Sequence, residues 1–115
     1  MNISEIVLRL KTLEYSAWFI YINSKKTEKK SFFNNIHQEI SAENDFLITS
    51  ISREYSLTLY PNHIDLVNLS DKEDLIDQVR YLLAAADVLA EKEDINKAIK
   101  TVINSLSKVL AHLST

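Results

Sequence analysis

Apolar residues recur at three- and four-residue steps over most of the chain, the period of helix faces turned toward a core. Ile3, Ile6, Val7, Leu10, Leu13, Ala17 and Tyr21 form the first such stripe, and Asn2 with Glu5 precedes it as a capping pair, so a helix is predicted to about Asn23. Ser24 to Lys30 (SKKTEKK) is polar and reads as the first connection. Phe32, Phe33, Ile36 and Ile40 predict a second, shorter helix ending near Ala42. Asn44 then reads as the cap of a third stretch carrying Leu47, Ile48, Ile51 and Tyr55, although Ile48 to Ile51 would also tolerate a strand.

Residues 56–69 (SLTLYPNHIDLVNL) break the helical period. Leu57 and Leu59 alternate around Thr58, and Pro61-Asn62 offers a turn, so a short β-hairpin competes with an irregular connector in which Pro61 opens one helical turn. The connector is preferred, because an isolated hairpin is marginal in water. Ser70-Asp71-Lys72-Glu73 has the spacing of a capping box and predicts a helix start. Its stripe is Leu75, Ile76, Val79, Leu82, Leu83, Ala86, Leu89 and Ala90. The following stripe, Ile95, Ile99, Val102, Ile103, Leu106, Val109, Leu110 and Leu113, is out of phase with it, which predicts a break near Glu91 to Asp94 and an antiparallel C-terminal helical hairpin. The expected fold is therefore all-α, a four- or five-helix bundle forming a single helical domain over 1–115.

Some helical surface is left over after these stripes are assigned to a core. On a wheel of 100° per residue, Asp74, Asp77, Tyr81, Ala84, Val88 and Glu91 lie opposite the stripe of their helix, acidic at the ends and apolar in the middle. This strip is the candidate partner-binding surface, with Tyr81 as anchor and carboxylates steering a basic partner; a solvated face is the plainer reading. In the first helix, Leu8, Tyr15, Phe19 and Ile22 make a second apolar stripe at heptad-like steps, which suits either the central helix of the bundle or a homodimer seam. Trp18, at the edge of the main stripe, is assigned to the core.

Composition narrows the chemistry. Gly is absent and Pro occurs once among 115 residues, so glycine-rich phosphate loops and the GxSxG nucleophile elbow cannot be written. With no Cys there is no disulfide, thiolate zinc site or cysteine nucleophile. The three histidines, His37, His63 and His112, form no HExxH or Glu-x-x-His pattern; His37 with Glu39 and Glu43 is the nearest constellation, and a polar helix surface explains it better. Ser50 or Ser52 with His63 and Asp65 supplies triad residue types without an elbow or oxyanion hole. No catalytic residue, metal or cofactor is assigned, and an enzyme is not expected.

Charge adds a direction. The net charge of −3 argues against a general nucleic-acid binder, and the acidity is concentrated in residues 65–94, which sum to −6, whereas 24–30 and 95–115 each carry +3. Lys25, Lys26, Lys29 and Lys30 read as a solvated linker; Lys97, Lys100 and Lys108 read as the solvent side of the last helix. The longest apolar runs have six residues, where a membrane span needs about 20, and the N-terminal segment lacks a signal-peptide pattern, so no membrane partner and a cytoplasmic location are expected. The expected function is that of a small acidic non-catalytic protein-binding module, of adaptor, inhibitor, immunity- or chaperone-like kind. The alternative is a helical ligand-binding domain or enzyme with an inter-helix pocket.

Overall fold

Asn2 opens the first helix: its backbone is extended and its Oδ1 accepts a hydrogen bond from the Glu5 amide at 2.8 Å, satisfying one of the amides that a helix start leaves free. The computed structural model describes residues 2–52, 71–92 and 97–114. These residues form four helices, α1 (Ile3–Asn23), α2 (Thr27–Ser52), α3 (Lys72–Lys92) and α4 (Lys97–Leu113), with no strand among them. The segment weighed as β-hairpin or connector lies outside the described residues; of the break predicted near Glu91 to Asp94, Glu91 and Lys92 still belong to α3, and 93–96 lie outside the described residues. Without glycine, α1 stops by other means. Ser24 turns to extended backbone (φ −76°, ψ 133°), its hydroxyl donates to the Ile20 carbonyl, and Asn23 Nδ2 donates to the Phe19 carbonyl at 3.0 Å. No described residue has positive φ.

Two predicted boundaries are corrected. The first connection is only Ser24 to Lys26, because Thr27 to Lys30 already belong to α2, as the 2.9 Å bond from the Lys30 amide to the Lys26 carbonyl shows. The helix predicted to end near Ala42 and the one predicted after Asn44 are a single helix of 26 residues. Phe33, Ile36, Ile40, Leu47 and Ile51 are all buried, and Asn44 falls in phase between Ile40 and Leu47, so the stripe runs straight through it. Neither proline nor glycine occurs between 27 and 52 to stop it. Asn44 is thus no cap but a fully buried interior residue, and neither Oδ1 nor Nδ2 meets a hydrogen-bond partner among the described residues. The buried Ser16 differs, since its hydroxyl donates to the Thr12 carbonyl at 3.0 Å.

At the start of α3 a capping pair forms between Asp71 and Asp74; the predicted Ser70–Glu73 box rests on a serine outside the described residues. The Asp74 amide donates to Asp71 Oδ1 at 3.0 Å and the Asp71 amide donates to Asp74 Oδ2 at 3.3 Å, a reciprocal pair that also places two carboxylates where the helix dipole is positive.

The four stripes meet in one core. Leu10, Leu13, Ala17, Ile40, Leu47, Leu75, Val79, Leu82, Val102, Leu106 and Val109 are among its buried members. The helices pack as a ring in which α1 adjoins α2 and α3, and α4 adjoins α2 and α3. Tyr21 stacks with His37 while Lys11, nearer the start of α1, lies close enough to Asp45, nearer the end of α2, to feel its charge, the reversed order of antiparallel helices. Glu43 faces Lys108 and Glu39 faces His112, the reversed order that marks α2 and α4 as antiparallel as well. Lys72 Nζ lies 5.2 Å from the Phe32 ring centroid, bringing the first turn of α3 to the N-terminal end of α2.

Replacing Asn44 removes the cost of an amide buried without partners, so Asn44→Leu is expected to raise stability by about 1–2 kcal/mol in denaturant unfolding. Asp71→Ala is expected to lower it by about 1 kcal/mol through loss of the cap. An Asn44→Leu protein no more stable than wild type would show that the amide is satisfied.

Candidate functional site

The outer face of α1 stays uncovered. Ile3, Ile6, Val7, Leu10, Leu13, Ala17 and Ile20 turn inward and are buried, and the opposite face presents Tyr15, Trp18, Phe19 and Ile22 at 40%, 42%, 43% and 45% exposure. A helix in this ring can bury only the stripe facing its neighbours, so the second stripe is left outside. Leu8, at the lower end of that stripe, is half-buried. Trp18 is not a core residue as predicted. Its ring packs edge-on against Phe19, with centroids 5.2 Å apart, and both remain on the surface.

One charge sits within this face. Lys11 Nζ is 2.7 Å from Glu14 Oε2 and 5.5 Å from the Tyr15 ring centroid, so the ammonium is matched by a carboxylate and an aromatic face. The hydrogen bond to Glu14 lifts the Lys11 ammonium above the ordinary lysine value, against the opposing effect of partial burial; Asp45 of α2 adds a smaller push in the same direction as Glu14.

The predicted strip on α3 is on the surface. Asp77, Tyr81, Ala84, Val88 and Glu91 are exposed, with Tyr81 at 53% and Val88 at 46%. Asp74 departs from the set: it is half-buried and its carboxylate closes the cap with Asp71. Arg9 of α1 lies over the Tyr81 ring at 5.9 Å, which anchors the ring at the α1–α3 border. Asp87 and the cation Arg80 are also exposed on this helix.

A third feature was not foreseen from the sequence. Between α2 and the end of α4 runs an open groove of about 480 Å³ lined by Phe32, Asn35, Ile36, Gln38, Glu39, Ala42 and His112. Glu39 Oε2 is 2.8 Å from His112 Nε2, and Glu43 Oε1 is 4.0 Å from Lys108 Nζ. The signal was present as matched spacing, two acids four apart on α2 and two bases four apart on α4, but nothing in the sequence said which helices are neighbours. Phe46, 53% exposed, lies one turn beyond Ala42 on α2.

The remaining candidates do not converge. His37 stacks on Tyr21 with ring centroids 5.9 Å apart, while Glu39 pairs with His112, so His37, Glu39 and Glu43 are not assembled. Among the described residues no three His, Cys, Asp or Glu side chains form a metal-sized group. His63 and Asp65 lie outside the described residues, leaving Ser50 and Ser52 without the groups they were weighed with. Lys25, Lys26, Lys29 and Lys30 are exposed, and Lys30 Nζ sits 5.5 Å from the Tyr21 ring centroid. Lys97, Lys100 and Lys108 are exposed on α4. No helix among the described residues is long and apolar enough to cross a membrane.

No protein-family model matches this chain, and no curated protein and no solved structure matches it. The functional argument rests on its surfaces.

Two outcomes check this geometry. Trp18 is the sole tryptophan, so the emission of dilute protein is expected to be readily quenched by acrylamide; strongly protected, blue-shifted emission would contradict its exposure. Because the Lys11 value is raised on folding, the pair's stabilisation is complete below the ordinary lysine value and is lost as pH rises through the raised one. The stability difference between wild type and Lys11→Met is thus expected to hold constant around neutral pH and to shrink only in strong alkali.

Proposed function

We propose that this chain is a small, non-catalytic protein-binding module of adaptor, inhibitor, immunity- or chaperone-like kind, which acts through exposed helix surfaces in the cytoplasm. The observation that carries the reading is the α3 strip, where Tyr81 and Val88 stand about half exposed between Asp77 and Glu91. An aromatic anchor inside a rim of carboxylates suits a partner with a basic surface, the charges raising the rate of encounter and the ring supplying contact area. α3 packs on α4, and the start of α3 (Lys72 on Phe32) and the end of α4 (His112 on Glu39) both meet the first half of α2, which supports an antiparallel C-terminal hairpin; Arg9 of α1 over the Tyr81 ring holds the strip from the other side. A rigid strip loses little conformational freedom on binding.

The α2–α4 groove favours the second reading, a ligand-binding helical domain or an enzyme. Its volume falls in the range of small-molecule pockets. Its polar groups Glu39 and His112 are spent on each other, however, and it lies open, so the protein-binding reading stands first.

The test is co-purification from the native host, in which a protein with a basic surface is the expected partner. The Asp77→Lys, Tyr81→Lys double variant is expected to weaken that complex at least tenfold, on the order of 1.4 kcal/mol or more, with unchanged helicity. Wild-type affinity in the double variant would remove the α3 strip from the proposal. A thermal shift produced by a metabolite and abolished by Phe32→Ala would move the assignment to the groove.

A further inference from the structure

We propose that the uncovered face of α1 is a self-recognition surface, on which a second copy of this chain docks through its own α1, antiparallel, about a two-fold axis level with Leu13. This rests on the reading that exposed helix faces of the protein bind protein, and it names the occupant of one of them.

The spacing comes first. Leu8, Tyr15 and Ile22 are seven residues apart, and so are Ser4, Lys11 and Trp18, so the two rows alternate in steps of three and four along α1. That is the seam along which two helices pair knobs into holes, and it lies opposite the stripe that α1 gives to its own core. The neighbouring bundle helices therefore do not compete for it.

Charge then selects both occupant and orientation. The four charged residues of α1, Glu5, Arg9, Lys11 and Glu14, sum to zero, and the seam's single ion, Lys11, is matched by Glu14 and the Tyr15 ring. A face without net charge offers nothing to draw a highly charged partner and nothing to repel another copy of a chain whose net charge is −3. Parallel pairing in register would set Lys11 against Lys11, like charges directly opposed. Antiparallel pairing about the level of Leu13 instead sets Lys11 of each copy against Tyr15 of the other, where the ammonium can exchange its present aromatic contact for an equivalent one. The same axis sets Leu8 against Trp18 and Ser4 against Ile22, a small side chain opposite a larger one at each layer. Such a contact is isologous and closes at two copies.

Area sets the strength. Tyr15, Trp18, Phe19 and Ile22 together leave roughly 300 Å² uncovered, taking about 150–250 Å² for each large side chain. With the parts of Leu8, Lys11 and Thr12 that also face outward, the contact removes about 800 Å² from both copies, in the range of weak, transient contacts. The dimer is accordingly weak and concentration-dependent, with a dissociation constant in the micromolar range or above, and the monomer keeps its fold without it. The α3 strips stay outside the seam, so the dimer displays two of them.

Sedimentation of the full chain from about 10 µM to about 1 mM, with Trp18 emission recorded over the same range, tests the proposal. A monomer–dimer transition is expected, with the emission shifting to the blue at the same midpoint. Tyr15→Lys and Phe19→Lys, both at exposed positions, are each expected to weaken dimerisation at least tenfold with unchanged circular dichroism. Tyr81→Lys is expected to leave it untouched, which separates this seam from the α3 strip. Because the chain has no cysteine, Ser4→Cys and Ile22→Cys report orientation: a disulfide is expected when the two variants are mixed and not in either alone. A monomer throughout the range, a dimer that survives Tyr15→Lys, loss of the dimer in Tyr81→Lys, or cross-linking of each cysteine variant with itself would each overturn the proposal.

Discussion

In a ring of four helices each member has a neighbour on either side, and the stripe between those contacts is the one that can be buried. α1 carries apolar side chains around much more of its circumference than that stripe. The inward set, from Ile3 to Ile20, closes the core with the buried residues of α2, α3 and α4. The outward set, from Tyr15 to Ile22, is then covered by none of the described helices. Burying a large apolar side chain is worth about 1.5–3 kcal/mol, so leaving four of them near half exposure is a sizeable stability forgone within the monomer. That surplus is the physical basis for the proposed contact between two copies of the chain.

The surfaces divide by charge. α1 offers aromatic area with its ion neutralised in place, while α3 offers a smaller apolar centre between carboxylates. They border each other where Arg9 lies over Tyr81. Two faces of such different character on adjacent helices suit two different contacts, one built on apolar area and one guided by charge. The α2–α4 side is different again. There Glu39 and Glu43 meet His112 and Lys108, so polar groups tie the two helices together at the surface instead of presenting themselves to a ligand. Pairs exposed to this degree contribute little to stability and serve mainly to fix which helices are neighbours.

Asn44 shows a local cue overridden. An asparagine ahead of an apolar run reads as a helix cap, because its short amide competes for backbone partners. Here a continuous apolar stripe on both sides of it, in one phase, outweighs that preference, and the residue is carried into the core with its amide unpartnered among the described residues. At the start of α3 a local cue is realised. Two overlapping pairs, Ser70 with Glu73 and Asp71 with Asp74, have capping spacing, and Asp71 is the cap that forms in the described residues.

What the sequence determined by itself was whatever repeats with the helical period. The extent of α1, the inward stripes of all four helices, the placement of α3 and α4, the absence of glycine-dependent turns and the exposed strip on α3 follow from spacing and residue type, since the helix sets its own geometry over a few residues. Tertiary structure decided what depends on distance between elements. Trp18 at the edge of a stripe is inside or outside according to which helices flank α1, and no local pattern carries that information. The same holds for the partnership of Glu39 with His112 and for the groove beside them. Adjacency of helices is settled by how four stripes share one core, a property of the assembled chain and not of any segment in it.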